Sequence, residues 1–214
     1  MLTRPFLIVL ALPLFTVRAQ TIAQSDHSAR LGVTAGVSAA TVNGSQSSRR
    51  LGVSPGAYVA FPLSGPVSLE AGIAYAMKGA TYDIASMHSA FEMDYLQVPL
   101  LLRVGFLEAS PLAPFVRGGV ALGYQTSCRL QYFELQTMLR KTCREYDATN
   151  SGGSVDRRRF DVSGVVGGGV SFTTGARRLW VATQYEHGLR KVSPSLETKN
   201  RMLSLLTGVE WRVP

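Results

Sequence analysis

The chain has little with which to build a metal or redox centre: two cysteines and three histidines in 214 residues. Cys128 and Cys143 show no CxxC spacing and have no histidine nearby, which speaks against a metal pair. Past residue 19 there is no run approaching the roughly 20 apolar residues that a membrane-spanning helix needs. Nor is there a helix-turn-helix pattern, zinc spacing or interleaving of aromatic with basic residues, so the formal charge of +8 does not point to nucleic acid. Gly167-Gly168-Gly169 is no phosphate loop, because neither a Lys-Ser/Thr pair nor a helix follows it. No linker, repeat or low-complexity stretch divides the chain, so one domain is expected.

What the sequence does have is alternation with period two. Leu96, Val98, Leu100, Leu102, Val104 and Phe106 share one parity, opposite Tyr95, Gln97, Pro99, Leu101 and Arg103. Val67, Leu69, Ala71, Ile73, Tyr75 and Met77 oppose Ser68, Glu70, Gly72, Ala74 and Lys78. Leu203, Leu205, Thr207, Val209 and Trp211 oppose Ser204, Gly208, Glu210 and Arg212, and Phe160, Val162, Val166, Val170 and Phe172 oppose Asp161, Ser163 and Ser171. A one-residue slip would exchange the two faces, so the pattern specifies register. Periodicity alone does not say which face meets water; a soluble lipocalin-like carrier would turn the charges outward.

The connections decide between these. Strands are expected at Arg30 to Thr41, Leu51 to Phe61, Val67 to Lys78, Ala90 to Phe106, Ala113 to Ser127, Arg159 to Thr173, Leu179 to His187 and Thr198 to Val213. The joints alternate between short and long. Leu63 to Pro66, Leu107 to Pro111 and Thr174 to Arg177 are short and punctuated by Gly or Pro; Asn43 to Arg50, Gly79 to Ser89, Cys128 to Arg158 and Gly188 to Glu197 are long. Tight turns at one end and long loops at the other mark a transmembrane barrel. The fold class is therefore all-β, an eight-stranded antiparallel up-and-down transmembrane β-barrel. Arg4, the apolar run Phe6 to Phe15 and Val17-Arg18-Ala19 read as a secretory signal over residues 1–19, leaving residues 20–214 as the barrel domain. Losing Arg4 and Arg18 takes the formal charge from +8 to about +6. An exported basic barrel has outer-membrane lipids as its first partners and the bacterial outer membrane as its place.

The inward parity collects Arg30, Glu70, Lys78, Arg103, Arg117, Asp161, Gln184, Glu186, Glu210 and Arg212. Eight strands enclose only enough space for side chains, and an unpaired buried charge costs several kcal/mol. A paired polar plug is the expectation; a narrow gated proton or ion path is the alternative. Gly118, Gly119, Gly123, Gly164, Gly167, Gly168 and Gly169 are expected to relieve crowding or admit a neighbouring aromatic ring. Pro99 lacks the N–H that a closed wall requires, and a bulge is expected there. In an oxidising compartment Cys128 and Cys143 read as a disulfide. That longest loop carries Arg129, Arg140, Lys141, Arg144, Arg157, Arg158 and Arg159, a candidate contact surface for lipopolysaccharide phosphates or an envelope protein.

Tyr75 to Gly79, Tyr95 to Arg103, Pro114 to Gly119, Gln184 to Leu189 and Lys199-Asn200-Arg201 resemble the PorT-like outer-membrane β-barrel family across nearly the whole mature chain. The resemblance implies an eight-stranded barrel, little chemistry and, for some members, a link to secretion; no cofactor is expected. Such barrels usually finish on an aromatic residue; this chain departs from that with Trp211-Arg212-Val213-Pro214, where Trp211 is expected to substitute. The rival class is a lipid A-modifying enzyme, for which a His beside a Ser and an acid is needed. The candidates are His187 with Glu186 and Ser193, and His88 with Ser86 and Ser89; His27 precedes the first strand and suggests nothing. No motif fixes the geometry of either set, so the expectation is a non-enzymatic barrel with a structural or interaction role.

Overall fold

The computed structural model describes residues 28–42, 47–84, 87–107, 110–134, 137–145, 159–191 and 199–213. The expected signal segment 1–19 and Arg157, Arg158, Ser86 and Ser193 lie outside the described residues. Strands follow one another as β1 (Arg30–Val42), β2 (Ser47–Val53), β3 (Gly56–Ser64), β4 (Val67–Ile84), β5 (Met87–Gly105), β6 (Ala113–Glu134), β7 (Thr137–Thr142), β8 (Phe160–Thr174), β9 (Arg177–Gly188) and β10 (Asn200–Arg212). All pair antiparallel, and β1 meets β10 from Arg30↔Arg212 to Val42↔Asn200, which closes the sheet into a ring. β2 and β3 together form one wall position, interrupted at Ser54-Pro55, and β7 folds back on β6 outside the ring. The wall is thus the eight-membered antiparallel barrel that the alternation predicts.

Side-chain burial settles which face is which. Leu96, Val98, Leu100 and Leu102 are exposed, while Gln97, Leu101 and Arg103 between them are buried. β10 repeats this with Leu203 and Leu205 outward and Ser204, Leu206 and Glu210 inward. Charges inside and an apolar exterior invert the arrangement of a water-soluble barrel, so the outside is built for lipid. The lumen packs apolar side chains, many of them aromatic, among polar groups: Tyr58, Phe115, Trp180 and Leu206 near the short-turn end, Met93 and Tyr95 toward the loops. Gly208 is what admits Trp180, since a Cβ there would lie 2.5 Å from the indole. The short turns at Gly65 and Gly175 take φ of 54° and 58°, a left-handed backbone that glycine adopts without strain.

Three sequence expectations need correction. Gly79 to Ser89 is no open loop, because β4 and β5 continue their ladder through Thr81↔Ala90 to Ile84↔Met87, carried by β-prone Thr, Tyr and Ile. The loop from Cys128 begins as a hairpin in which β6 runs on to Glu134 and β7 returns from Thr137. Pro99 makes no bulge. Register is the same on both sides of it; instead the β4–β5 ladder skips the pairs Gly72 with Pro99 and Ile73 with Val98. The irregularity in β5 falls between Asp94 and Tyr95, against β6.

Candidate functional site

Strand alternation delivers most of the expected charges to the lumen, where they separate into two clusters. Near the short turns, Arg103 Nη1 lies 2.6 Å from Glu210 Oε1 and 3.4 Å from Glu70 Oε1, and Arg117 Nη1 lies 3.6 Å from Glu70 Oε2. Tyr58 donates its hydroxyl to Glu210 at 2.8 Å and accepts from Trp180 Nε1 at 2.7 Å. The guanidinium of Arg103 stacks 3.8 Å above the Phe115 ring, and that of Arg117 sits 4.8 Å from the Trp180 ring. Two cations meet two anions, and the aromatic faces replace water around the guanidinium planes.

Toward the loops Lys78 Nζ lies 3.2 Å from Asp161 Oδ2 and 3.4 Å from Glu186 Oε2, and donates to Ser163 Oγ at 3.2 Å. Glu186 also accepts from Gln97 and Gln184, each at 3.2 Å, and Asp161 accepts from Asn200 at 3.1 Å. Arg30 and Arg212 share the inward parity but stay out of these clusters. They face each other in register at the last layer of β1 and β10, with Arg212 exposed, so they belong to the rim.

One buried pair escapes the sequence pattern. Arg50 Nη2 lies 3.2 Å from Asp94 Oδ1. The spacing of turn residues places Arg50 in a loop, yet it is in β2. Asp94 sits beside the register shift with β6, where Met93, Asp94 and Tyr95 are all buried in succession and strict alternation lapses. The signals that could have found the pair are the acid itself, inside a strand run, and the consecutive Arg49-Arg50 ahead of Leu51.

Of the two candidate histidine sets, only the Glu186–His187 pair has both side chains among the described residues, and the barrel wall separates them. Glu186 is buried against Lys78, while His187, its chain neighbour, takes the other face beside Tyr185 at 6.4 Å between rings. The side chain of His88 lies outside the described residues, and Ser89 is half-buried with partners of its own.

At the loop end, Cys128 and Cys143 form a disulfide with Cα atoms 5.5 Å apart, tying the far end of β7 to β6. Arg129, Arg140 and Arg144 are exposed on this hairpin and Lys141 is half-buried. Arg140 Nη2 pairs with Glu92 Oε2 at 2.8 Å, and Lys141 lies 5.9 Å from the Tyr132 ring. Arg159, at the foot of β8, donates to the Tyr124 hydroxyl at 3.4 Å. Glu145 caps the turn after β7, accepting from Thr142 N at 2.8 Å; that backbone bond, with a second from the Thr142 hydroxyl, holds its carboxyl below the usual carboxylate range.

The sequence profile described as "Outer membrane protein beta-barrel domain" matches residues 19–193. No curated protein matches the chain. Among solved structures, Neisserial surface protein A is similar at a TM-score of 0.51 and 15% identity, covering 86% of this chain and 97% of that one. A major outer membrane protein from Thermus thermophilus gives 0.49 at 11% identity, covering 87% and 100%. Ail, the attachment invasion locus protein of Yersinia pestis, gives 0.45 at 9% identity, covering 86% and 99%. At these identities the likeness to Neisserial surface protein A speaks for the fold alone.

Proposed function

Since the chain belongs to the outer membrane protein beta-barrel domain family and resides in the bacterial outer membrane, we propose that it acts there without catalysis, as an interaction protein that holds phosphate-bearing outer-leaflet lipid through its loop end. The observation that carries this reading is the stapled β6–β7 hairpin. It presents Arg129, Arg140 and Arg144 to solvent above a lumen whose charges are largely engaged with one another. Guanidinium forks suit phosphate oxygens, and each charge-assisted contact adds about 1.5–3 kcal/mol. The ion-paired interior supports a silent barrel over a conducting one, and the opposite facing of Glu186 and His187 supports a binder over a lipid-modifying enzyme. Within the family, the segments from Tyr95 to Arg103 and Gln184 to Leu189 support a PorT-like kinship, and with it an accessory role in envelope assembly or secretion.

The test is thermal unfolding of the detergent-solubilised barrel with purified lipopolysaccharide. Intact lipopolysaccharide is expected to raise the unfolding temperature at about tenfold lower concentration than its dephosphorylated form, the equivalent of about 1.4 kcal/mol. Joint replacement of Arg129, Arg140 and Arg144 by Gln is expected to abolish the difference. Equal shifts with both lipids, or an unaltered preference in the triple variant, sink the reading.

A further inference from the structure

Between the two lumen clusters lies a cavity of about 60 Å³ lined by members of both. Arg117, Glu70 and Glu186 reach it, together with Ser54, Ser204 and the apolar Leu101. Both carboxylates are engaged, Glu70 by Arg103 and Arg117, Glu186 by Lys78, Gln97 and Gln184. Arg117 is not saturated. It is 6% exposed, its Nη1 faces Glu70 and its plane lies by Trp180, but Nε and Nη2 have no acceptor among the described residues. Those two atoms form the side-on fork of a guanidinium, the geometry that receives two oxygens of one carboxylate. The hydroxyls of Ser54 and Ser204, also buried and without partners among the described residues, border the same space. Buried donors of this kind have lost their water and gained nothing in exchange, so the site is built for an acceptor.

The wall is weakest at the same place. The β4–β5 ladder holds at Ala71↔Leu100 and Ala74↔Gln97 but skips the two pairs between, where Pro99 has no N–H to give. On the other side of β4, its partner strand breaks at Ser54-Pro55, and Tyr75 N turns to the Pro55 carbonyl at 2.9 Å. Small residues Ala57, Gly72 and Ala74 flank the break. The cavity lining includes both parities of β4, inward Gly72 and Ala74 and outward Ile73 and Tyr75, so the space lies against the wall at its interruption. The outer face here is apolar: Ile73, which lines the cavity, is exposed to the exterior, as are Val98 and Leu100 on the neighbouring strand.

We propose that this interruption is a lateral port through which a monocarboxylate with an aliphatic tail passes head first from the bilayer, seating its carboxylate on the Nε–Nη2 fork of Arg117 and leaving its tail in the port. An apolar mouth, a narrow passage bordered by small side chains and an unfilled guanidinium at the end match that one amphiphile class in order. The ligand comes from the membrane phase and needs no through channel, so this site is independent of the loop-end reading.

Trp180 reports on the site directly, since it lies against Arg117 and Trp211 is the other of the two tryptophans. In a Trp211→Phe background of the refolded barrel, octanoate brominated beside the carboxylate is expected to quench Trp180 saturably. Octanoate brominated at the tail end is expected to quench it less, and the methyl ester to need about tenfold more ligand, the loss of a charge-assisted pair. Arg117→Lys keeps the charge but lacks the fork, and should lose the saturable component. Ala74→Met narrows the passage without touching Arg117 and should do the same, which keeps the test decisive if the lysine variant fails to fold. Heat-dependent electrophoretic mobility certifies folding in each. Quenching that only rises linearly with concentration, equal quenching by the two brominated positions, or saturable quenching that survives in a folded Arg117→Lys or Ala74→Met barrel overturns the proposal.

Discussion

The lumen and the loop-end hairpin are built from the same side chains and held by different physics. Arg103 and Glu210 are both nearly excluded from solvent and 2.6 Å apart; Arg140 and Glu92 are 2.8 Å apart with the arginine side chain 55% exposed. Distance hardly separates these pairs, yet burial does. An exposed pair is worth about 0–1 kcal/mol, whereas removing one member of a buried pair leaves its partner uncompensated at about 3–5 kcal/mol. The lumen charges therefore fix the barrel, and the exposed hairpin arginines can trade a weak surface pair for a contact at little cost while a covalent link does the holding.

The largest break in this contrast comes from Glu210→Ala. Arg103 would keep only Glu70 at 3.4 Å, and Tyr58 would lose its acceptor. Urea unfolding in detergent is expected to show a loss of about 3–5 kcal/mol, or a failure to reach the heat-modifiable fold. A loss under about 1 kcal/mol, the range of an exposed pair, would mean that water reaches the cluster and that burial is not what distinguishes it.

Next in size is the hairpin's own staple. Cys128 and Cys143 are separated by 15 residues, for which the chain-entropy account gives about 3 kcal/mol. This term acts on the loop alone, because β7 pairs with β6 outside the ring. Cys143→Ser is expected to leave the heat-dependent mobility shift of the barrel intact while trypsin cuts at Arg140, Lys141 and Arg144 at least about tenfold faster, as a local opening would allow. Barrel collapse on losing the disulfide would erase the proposed division of labour.

The same division explains what could be read from the sequence. The lumen was legible because period two sorts residues without regard to distance along the chain. Glu70, Lys78, Arg103, Arg117, Asp161, Glu186 and Glu210 come together from β4, β5, β6, β8, β9 and β10 on parity alone. Reading failed where the backbone leaves that period. The register shift at Asp94/Tyr95 hid the Arg50–Asp94 pair, and the missing ladder bonds at Pro99 read as a bulge because a proline shows that a hydrogen bond is lost but not how the neighbouring strand responds. The fork of Arg117 was beyond sequence reading altogether. Parity places a guanidinium in the lumen, and only three-dimensional packing shows which of its nitrogens finds a partner.

The smallest expected effect tests the hairpin's water-exposed side. Thr142 and Glu145 bond reciprocally, with Thr142 N donating to the Glu145 carboxylate and Glu145 N donating to the Thr142 hydroxyl at 3.2 Å, the pattern of a capping box. Thr142 N and the Thr142 hydroxyl both donate to the carboxylate and favour its charged form, so its folded pKa falls below the ordinary value of 4.5. A depressed carboxylate supports the turn fully above that ordinary value, and the support disappears as pH falls through the lower folded one. Because Glu145 is exposed, the change is confined to the turn beside Cys143 and leaves the barrel unmoved. Carbon-detected NMR titration of the Glu145 carboxyl should give a midpoint under 4.5, and Thr142→Ala should raise it toward that value. A wild-type midpoint at or above the ordinary value would show that the turn is not closed in solution, and that the disulfide alone shapes the loop end.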